Sequence, residues 1–268
     1  MSDDVRLVTK QEVDHFREHG WVKLDSLLSP DLAGQLLERS KDLLQKESAA
    51  HDQNWWMQTY NPIQKDDLFR RFGFNEKMGL NAQRLMRRST GVLIYSDLLA
   101  VKMGEGQSHE SNWHQDGTDI PIDRSSWIRI WIALDHVTPQ MGGIRFIDRA
   151  HTIGPVGNRH LFEDDPDRVL FDKFPELEEL GPAGPFEMQP GDATVHSMFT
   201  IHGAPENRTA NPRWAFILSY MADDTRYTAN SDARGLLAKA EAAGLKRGDL
   251  FEGPSYPRIC DAMERWDA

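Results

Sequence analysis

Eight consecutive residues, Trp127-Ile128-Arg129-Ile130-Trp131-Ile132-Ala133-Leu134, carry a single charge among apolar side chains. A run this short and this rich in β-branched and aromatic residues reads as a strand buried on both faces, as in the middle of a sandwich or barrel. Val92 to Met103 and Trp214 to Met221 are further apolar β segments, and Ala193 to Ile201 follows the tight turn Pro190-Gly191-Asp192. Thr138-Pro139-Gln140-Met141-Gly142-Gly143 turns the chain back into a strand, Ile144-Arg145-Phe146-Ile147. The centre of the chain is therefore predicted to be β.

The flanks read as helical. Thr9-Lys10-Gln11-Glu12 has the spacing of a capping box, and Val13, Phe16 and Gly20 fit a short helix ended by glycine, with a strand at Trp21-Val22-Lys23-Leu24. Ser29 and Pro30 then open a second helix as N-cap and first-turn proline, continuing to Leu44. Lys77 to Ser89 is predicted to be helical with Arg84, Arg87 and Arg88 solvated, and Asp232 to Ala243 forms a helix in the tail. Between His51 and Phe72 the period is lost and aromatics gather. Residues 154–184, with Glu163, Asp164, Asp165 and Asp167, read as a solvated insertion that lacks the spacing of an EF-hand.

Chemistry enters at Asn112-Trp113-His114-Gln115-Asp116-Gly117. On an extended strand His114 and Asp116 project from one side, about 7 Å apart, near enough to grip one ion. Two histidines and one carboxylate form the ligand set of non-haem Fe(II) oxygenases, and His202 is the best third member. His196 is a rival, because it lies on the same face of a regular strand as residue 202. After His202, the turn-forming residues from Gly203 to Pro212 suggest a hairpin that returns Arg213 to its side. A guanidinium there suits a dicarboxylate cosubstrate, which its planar fork binds through two charge-assisted hydrogen bonds. Lys102 reads as solvated or salt-bridged. The remaining histidines, His15, His19, His51, His109, His136, His151 and His160, lack ligand spacing.

These residues resemble the phytanoyl-CoA dioxygenase-like branch of the Fe(II)/2-oxoglutarate-dependent oxygenases. The resemblance rests on Trp113-His114-Gln115-Asp116, on Trp131-Ile132-Ala133-Leu134-Asp135 with Gly142-Gly143-Ile144-Arg145-Phe146, on Pro190-Gly191-Asp192, on His202 with Asn207 and Arg213, and on the run from Thr9 to Leu28. It implies a mainly β fold with flanking α-helices around a double-stranded β-helix, the jelly-roll or cupin-like core. A single oxygenase domain over residues 1–268 follows, with a mainly helical region 1–90, a core 91–221 and a helical tail 222–268. It further implies Fe(II) on His114, Asp116 and His202, 2-oxoglutarate held by Arg213 with Trp131 lining its pocket, and O2 as oxidant. Succinate and CO2 leave as an unactivated C–H is hydroxylated, while the presence of Asp116 speaks against halogenation. Residues 51–72 become a candidate lid, with Trp55, Trp56, Arg70 and Arg71 as candidate substrate contacts. Where the family continues with Pro-Gly-Ser-His, this chain has Asp148-Arg149-Ala150-His151, which leaves a substrate contact by His151 in doubt.

Other classes are narrowed by composition. A net charge of −11 without a basic block argues against nucleic acid and anionic membranes as partners. Cys260 is the only cysteine, so no internal disulfide forms and a reducing, cytoplasmic compartment suits the chain. The acidic start, Met1-Ser2-Asp3-Asp4, is unlike a signal peptide, and no run reaches the roughly 20 apolar residues of a membrane span. The expected partner is a small molecule. Two rival readings stay open: a zinc-dependent hydrolase using the same three ligands, and a non-catalytic cupin-like metal- or ligand-binding protein.

Overall fold

The computed structural model describes residues 3–47, 56–86, 89–104, 108–123, 126–231 and 233–262, the side chains of 47 and 56–58 excepted. Helix α1 (Lys10–His19) begins with the expected capping box: Glu12 N–H donates to the Thr9 hydroxyl at 3.2 Å and Thr9 N–H to the Glu12 carboxylate at 2.7 Å. It ends at Gly20, whose left-handed φ of 79° lets its N–H reach back to Phe16 O. Strand β1 (Trp21–Leu24) and helix α2 (Pro30–Glu47) follow, the latter capped by the Ser29 hydroxyl.

The aperiodic segment resolves into strand β2 (Trp56–Tyr60) and the short helices α3 (Pro62–Lys65) and α4 (Asp67–Gly73). Helix α5 (Glu76–Met86) leads into β3 (Val92–Lys102), then β4 (Ser111–His114), β5 (Trp127–Ala133) and β6 (Arg145–Ile147). Helices α6 (Pro166–Lys173) and α7 (Glu176–Leu180) precede β7 (Pro182–Ala183), β8 (Ala193–Ser197), β9 (His202–Ala204) and β10 (Arg213–Ala222). Helix α8 (Arg234–Ala242) and β11 (Arg258–Cys260) complete the chain.

Two antiparallel sheets face each other. The larger runs β1-β8-β5-β10-β3-β11, with β2 also paired to β3, and the smaller runs β4-β9-β6-β7. Strand β5 lies between β8 and β10, as its double-sided hydrophobicity demands. The outer face of the large sheet carries Leu99, Val101, Ile130, Ile132, Phe216 and Leu218 into one core with the helices, where Phe69 and Phe72 pack on Phe216. Trp21, Trp131, Phe146, Met188 and Ile217 fill the space between the sheets. This is the jelly-roll architecture.

Three expectations need correction. The stretch from Gly203 to Pro212 is not a hairpin turn: β9 pairs with β4 and β6, whereas β10 pairs with β3 and β5, so the loop carries the chain from one sheet to the other. Residues 154–184 are not merely solvated, since Leu170 and Leu177 are buried against Trp113, Ile147 and Ile201. Of the candidate lid 51–72, residues 51–55 lie outside the described residues, and the rest packs on the large sheet, β2 as a strand beside β3 and α4 on the outer face.

Candidate metal centre

His114 ends β4 and faces His202 at the start of β9, the two being register partners with ring centroids 4.2 Å apart. Gln115 keeps the chain extended for one more residue, after which Asp116 opens a 3-10 turn. The turn is held by the buried Gln115 amide, which donates to Gly154 O and Phe199 O at 2.8 and 2.7 Å and accepts from Val156 N–H at 2.9 Å. The alternation argument thus brought His114 and Asp116 together correctly, although the strand stops before Asp116.

The ligand atoms of His114, Asp116 and His202 all lie within 4.8 Å of one another. His114 Nδ1 is 2.7 Å from Asn112 O and His202 Nδ1 is 3.0 Å from Thr200 O. A carbonyl can only accept, so each Nδ1 carries the hydrogen and each Nε2 offers its lone pair to the cluster. Burial, reinforced by His196 and His114, pushes His202 well below the ordinary imidazole range. For Asp116 burial acts upward, but Arg129, His202 and His196 together outweigh it and keep the carboxylate ionised. Neutral imidazoles and one anion are the protonation states that a divalent cation requires.

His196, the rival ligand, is fully buried in the same place, its ring 4.2 Å from that of His202. Its Nε2 lies 3.2 Å from Asp116 Oδ2, so it braces the carboxylate. Arg129, unremarked in the sequence except as one charge in an apolar strand, donates from Nη1 to Asp116 Oδ1 at 3.0 Å. Its being the one charge in that apolar strand was the available signal, and the register sets it opposite His196 and Ser219.

Arg213 lies inside the barrel, buried, with its guanidinium carbon 5.1 Å from the centre of the Trp131 ring and Nη1 donating to Gly142 O. Gly142 takes a left-handed φ of 71°, and an added Cβ would strike Pro205 O. Lys102, the register partner of Arg213, is completely buried rather than solvated or salt-bridged. Its ammonium donates to Ala204 O at 3.1 Å and Pro205 O at 2.5 Å, and burial pulls its pKa down to about 7. Next along the three central strands, Ala100, Ala215 and Ala133 stand side by side, small side chains buried in the same cluster as Trp131.

The other expected substrate contacts do not gather here. Arg70 is exposed on α4, paired with Asp67 at 3.0 Å, and Arg71 is exposed on the same outer helix. Trp55 lies outside the described residues, and of Trp56 only the backbone is described, opposite Lys102. His151 sits beneath Gly20, where its Nδ1 would meet an added Cβ. Asp148 accepts from Trp21 Nε1 at 3.0 Å and lies 2.7 Å from His19 Nδ1, so this departure from the family pattern ties α1 and β1 to the small sheet. Outside the metal loop, Ile120, Ile122, Met198 and Phe199 form the apolar part of a cleft of about 800 Å³, with Arg159 and Lys173 also in its lining.

A jelly-roll barrel with two histidines and one carboxylate converging between its sheets defines a cupin-like metal protein. A family model described as phytanoyl-CoA dioxygenase matches residues 16–215, and the chain belongs to that family, whose members are non-haem iron oxygenases dependent on 2-oxoglutarate and O2. It is similar to methylphosphonate hydroxylase of Gimesia maris, at 24% identity over 250 residues that span 88% of this chain and 91% of the relative. Among solved structures it resembles the epimerase SnoN of nogalamycin biosynthesis in complex with Fe3+, α-ketoglutarate and nogalamycin RO (TM-score 0.78, 19% identity, 93% of this chain and 98% of that one). It also resembles the carbocyclase SnoK of the same biosynthesis (0.76, 22%, 94% and 96%) and EctD from S. alaskensis with 2-oxoglutarate and 5-hydroxyectoine (0.64, 19%, 82% and 78%). The chain is an Fe(II)- and 2-oxoglutarate-dependent oxygenase.

Proposed function

We propose that His114 and His202 through Nε2, with the Asp116 carboxylate, hold the Fe(II), that Arg213 receives the far carboxylate of 2-oxoglutarate, and that the reaction hydroxylates a C–H of a small organic substrate. The observation that carries this reading is the convergence of the three ligand atoms within 4.8 Å while both Nδ1 atoms are occupied by carbonyls. Bound iron supplies the oxygen activation that no side chain can, coupled to decarboxylation of 2-oxoglutarate to succinate. The chain's own residues orient and shelter. Arg213 presents a planar fork for a carboxylate, Trp131 lies against that fork, and only the short side chains of the alanine row stand next to it on the strands. Lys102 adds a donor at the same end of the barrel.

This buried cationic end favours the oxygenase over a zinc hydrolase, which needs only the ligands and a water. The name of the methylphosphonate hydroxylase supports hydroxylation as the outcome. The chain acts as a single unit, since β1, β2 and β11 from its two ends are strands of the central sheet. Among the described residues no helix is long and apolar enough to cross a membrane. The net charge of −11 and the lone cysteine support a cytoplasmic protein with a small-molecule partner, acting on neither nucleic acid nor membrane.

Anaerobic titration with Fe(II) and then 2-oxoglutarate should develop a visible charge-transfer band, and oxygen should release succinate. Arg213→Ala should weaken 2-oxoglutarate by about tenfold or more while Fe(II) binding is retained, since a charge-assisted pair is lost. Metal-dependent hydrolysis indifferent to oxygen would establish the zinc reading, and ligand binding without succinate the non-catalytic one.

A further inference from the structure

Arg129 stands on the inward face of the central strand, at the level of the metal cluster. A quarter of its side chain is nonetheless open to solvent. Its guanidinium is fixed on three sides: Nη1 donates to Asp116 Oδ1 at 3.0 Å, Nε to Ser219 Oγ at 3.3 Å, and the guanidinium carbon lies 5.1 Å from the centre of the Trp127 ring. Among the described residues no acceptor meets Nη2, and Asp116 is the only acidic partner of this cation. A planar fork held this way loses little freedom on binding, so its open edge is preorganised for an oxyanion.

Location separates this edge from the cosubstrate end. Arg213 and Lys102 share one level of the barrel and the alanine row the next, then come Trp131 and Ile217. Arg129 with Ser219 lies one level further on, and beyond it Trp127 and Met221 join a cluster with Tyr95, Ile120 and Met198.

We infer that Arg129 is the substrate-reading residue of this site, and that the primary substrate carries an oxyanion, a carboxylate or phosphonate-type group, that binds its open edge beside the metal. The inference rests on the metal centre proposed above. Under anaerobic conditions the protein loaded with Fe(II) and 2-oxoglutarate is titrated with propionate, ethylphosphonate and the uncharged propionamide, each followed by its perturbation of the charge-transfer band. Wild type should bind at least one of the two anions about tenfold or more tightly than the amide. Arg129→Gln should erase that preference, read at Fe(II) and 2-oxoglutarate concentrations that saturate the variant because loss of the Asp116 contact also lowers its Fe(II) affinity, by about 10- to 100-fold, and Arg129→Lys should keep part of it, because charge survives and the fork does not.

An unchanged preference in Arg129→Gln overturns the inference, as does the absence of any preference in wild type. Tenfold weaker binding of 2-oxoglutarate by Arg129→Gln at saturating Fe(II), before any probe is added, also overturns it, for Arg129 would then serve the cosubstrate. If Arg129→Gln does not fold, Arg129→Lys decides: a preference equal to that of wild type counts against the inference. Failure of the band to form in wild type strikes the metal centre itself, which keeps the two outcomes apart.

Discussion

On the outer face of β10, Phe216, Leu218 and Tyr220 are buried among helices, with Phe69 and Phe72 closing on Phe216 at centroid distances of 4.8 and 5.9 Å. On the inner face of the same strand stand Arg213, Ala215, Ile217 and Ser219, of which only Ile217 is both large and apolar, alternating one for one with the large outer side chains. The outer face is filled, and filling it is what stabilises the sheet. The inner face carries polar groups as well as core, with Arg213 Nη1 donating to Gly142 O and Arg129 Nη1 to Asp116. Period-two alternation lets one strand serve stability and chemistry independently.

Substitutions on the two faces should therefore fail in different ways. The largest effect is expected from His114→Ala on the inner side: loss of one of the three proposed ligands should weaken Fe(II) by about 100-fold or more, read by anaerobic titration, with little change in thermal unfolding. Phe216→Ala should do the reverse, costing about 3–5 kcal/mol of stability in urea unfolding while the folded fraction keeps its Fe(II) affinity. If Phe216→Ala instead altered metal binding at constant stability, the separation of faces would break.

Ala215→Val sharpens the comparison on the inner side. It fills space between Ala100 and Ala133 and should weaken 2-oxoglutarate about tenfold in calorimetry, with overpacking limiting the stability loss to about 1–3 kcal/mol. The smallest effect concerns Asp97, on the opposite side of β3 from the cavity, whose carboxylate accepts from Ile63 N–H at 2.7 Å and whose pKa burial pushes up to about 6. A folded pKa above the ordinary 3.8 means the native state binds the extra proton, so this group's contribution to stability is full below pH 3.8 and lost as pH rises through about 6. The difference in unfolding free energy between wild type and Asp97→Asn should shift in favour of the variant across that window, with no change in 2-oxoglutarate affinity at neutral pH.

The parts of this molecule that could be read from sequence were local. Thr9 and Glu12 cap α1 because their spacing alone decides it, and β5 is central because its residues are apolar on both sides. His114 and Asp116 were paired by strand geometry, while His202 had His196 as a rival that spacing could not dismiss. Both face the cavity, but the Nε2 of His196 is engaged with Asp116. Arg213 was expected beside His202 through a hairpin, yet the two belong to different sheets, and it is the facing of those sheets that puts both in the barrel. Arg70 and Arg71 were drawn toward the site by composition, but the packing of Phe69 and Phe72 turns their helix to the outside.

Sequence alone thus determined the capped helix α1 and the central strands, the family pattern, and the residue types able to bind a dication and a diacid, because each depends on periodicity or on neighbours a few residues apart. Only the tertiary structure shows that His196 Nε2 lies against Asp116, that Lys102 is buried beside Arg213, and that Arg129 leans on Asp116 with one edge free. These arise from contacts between residues far apart in the chain, and burial, which decides protonation and partners alike, exists only once the sheets have closed on each other.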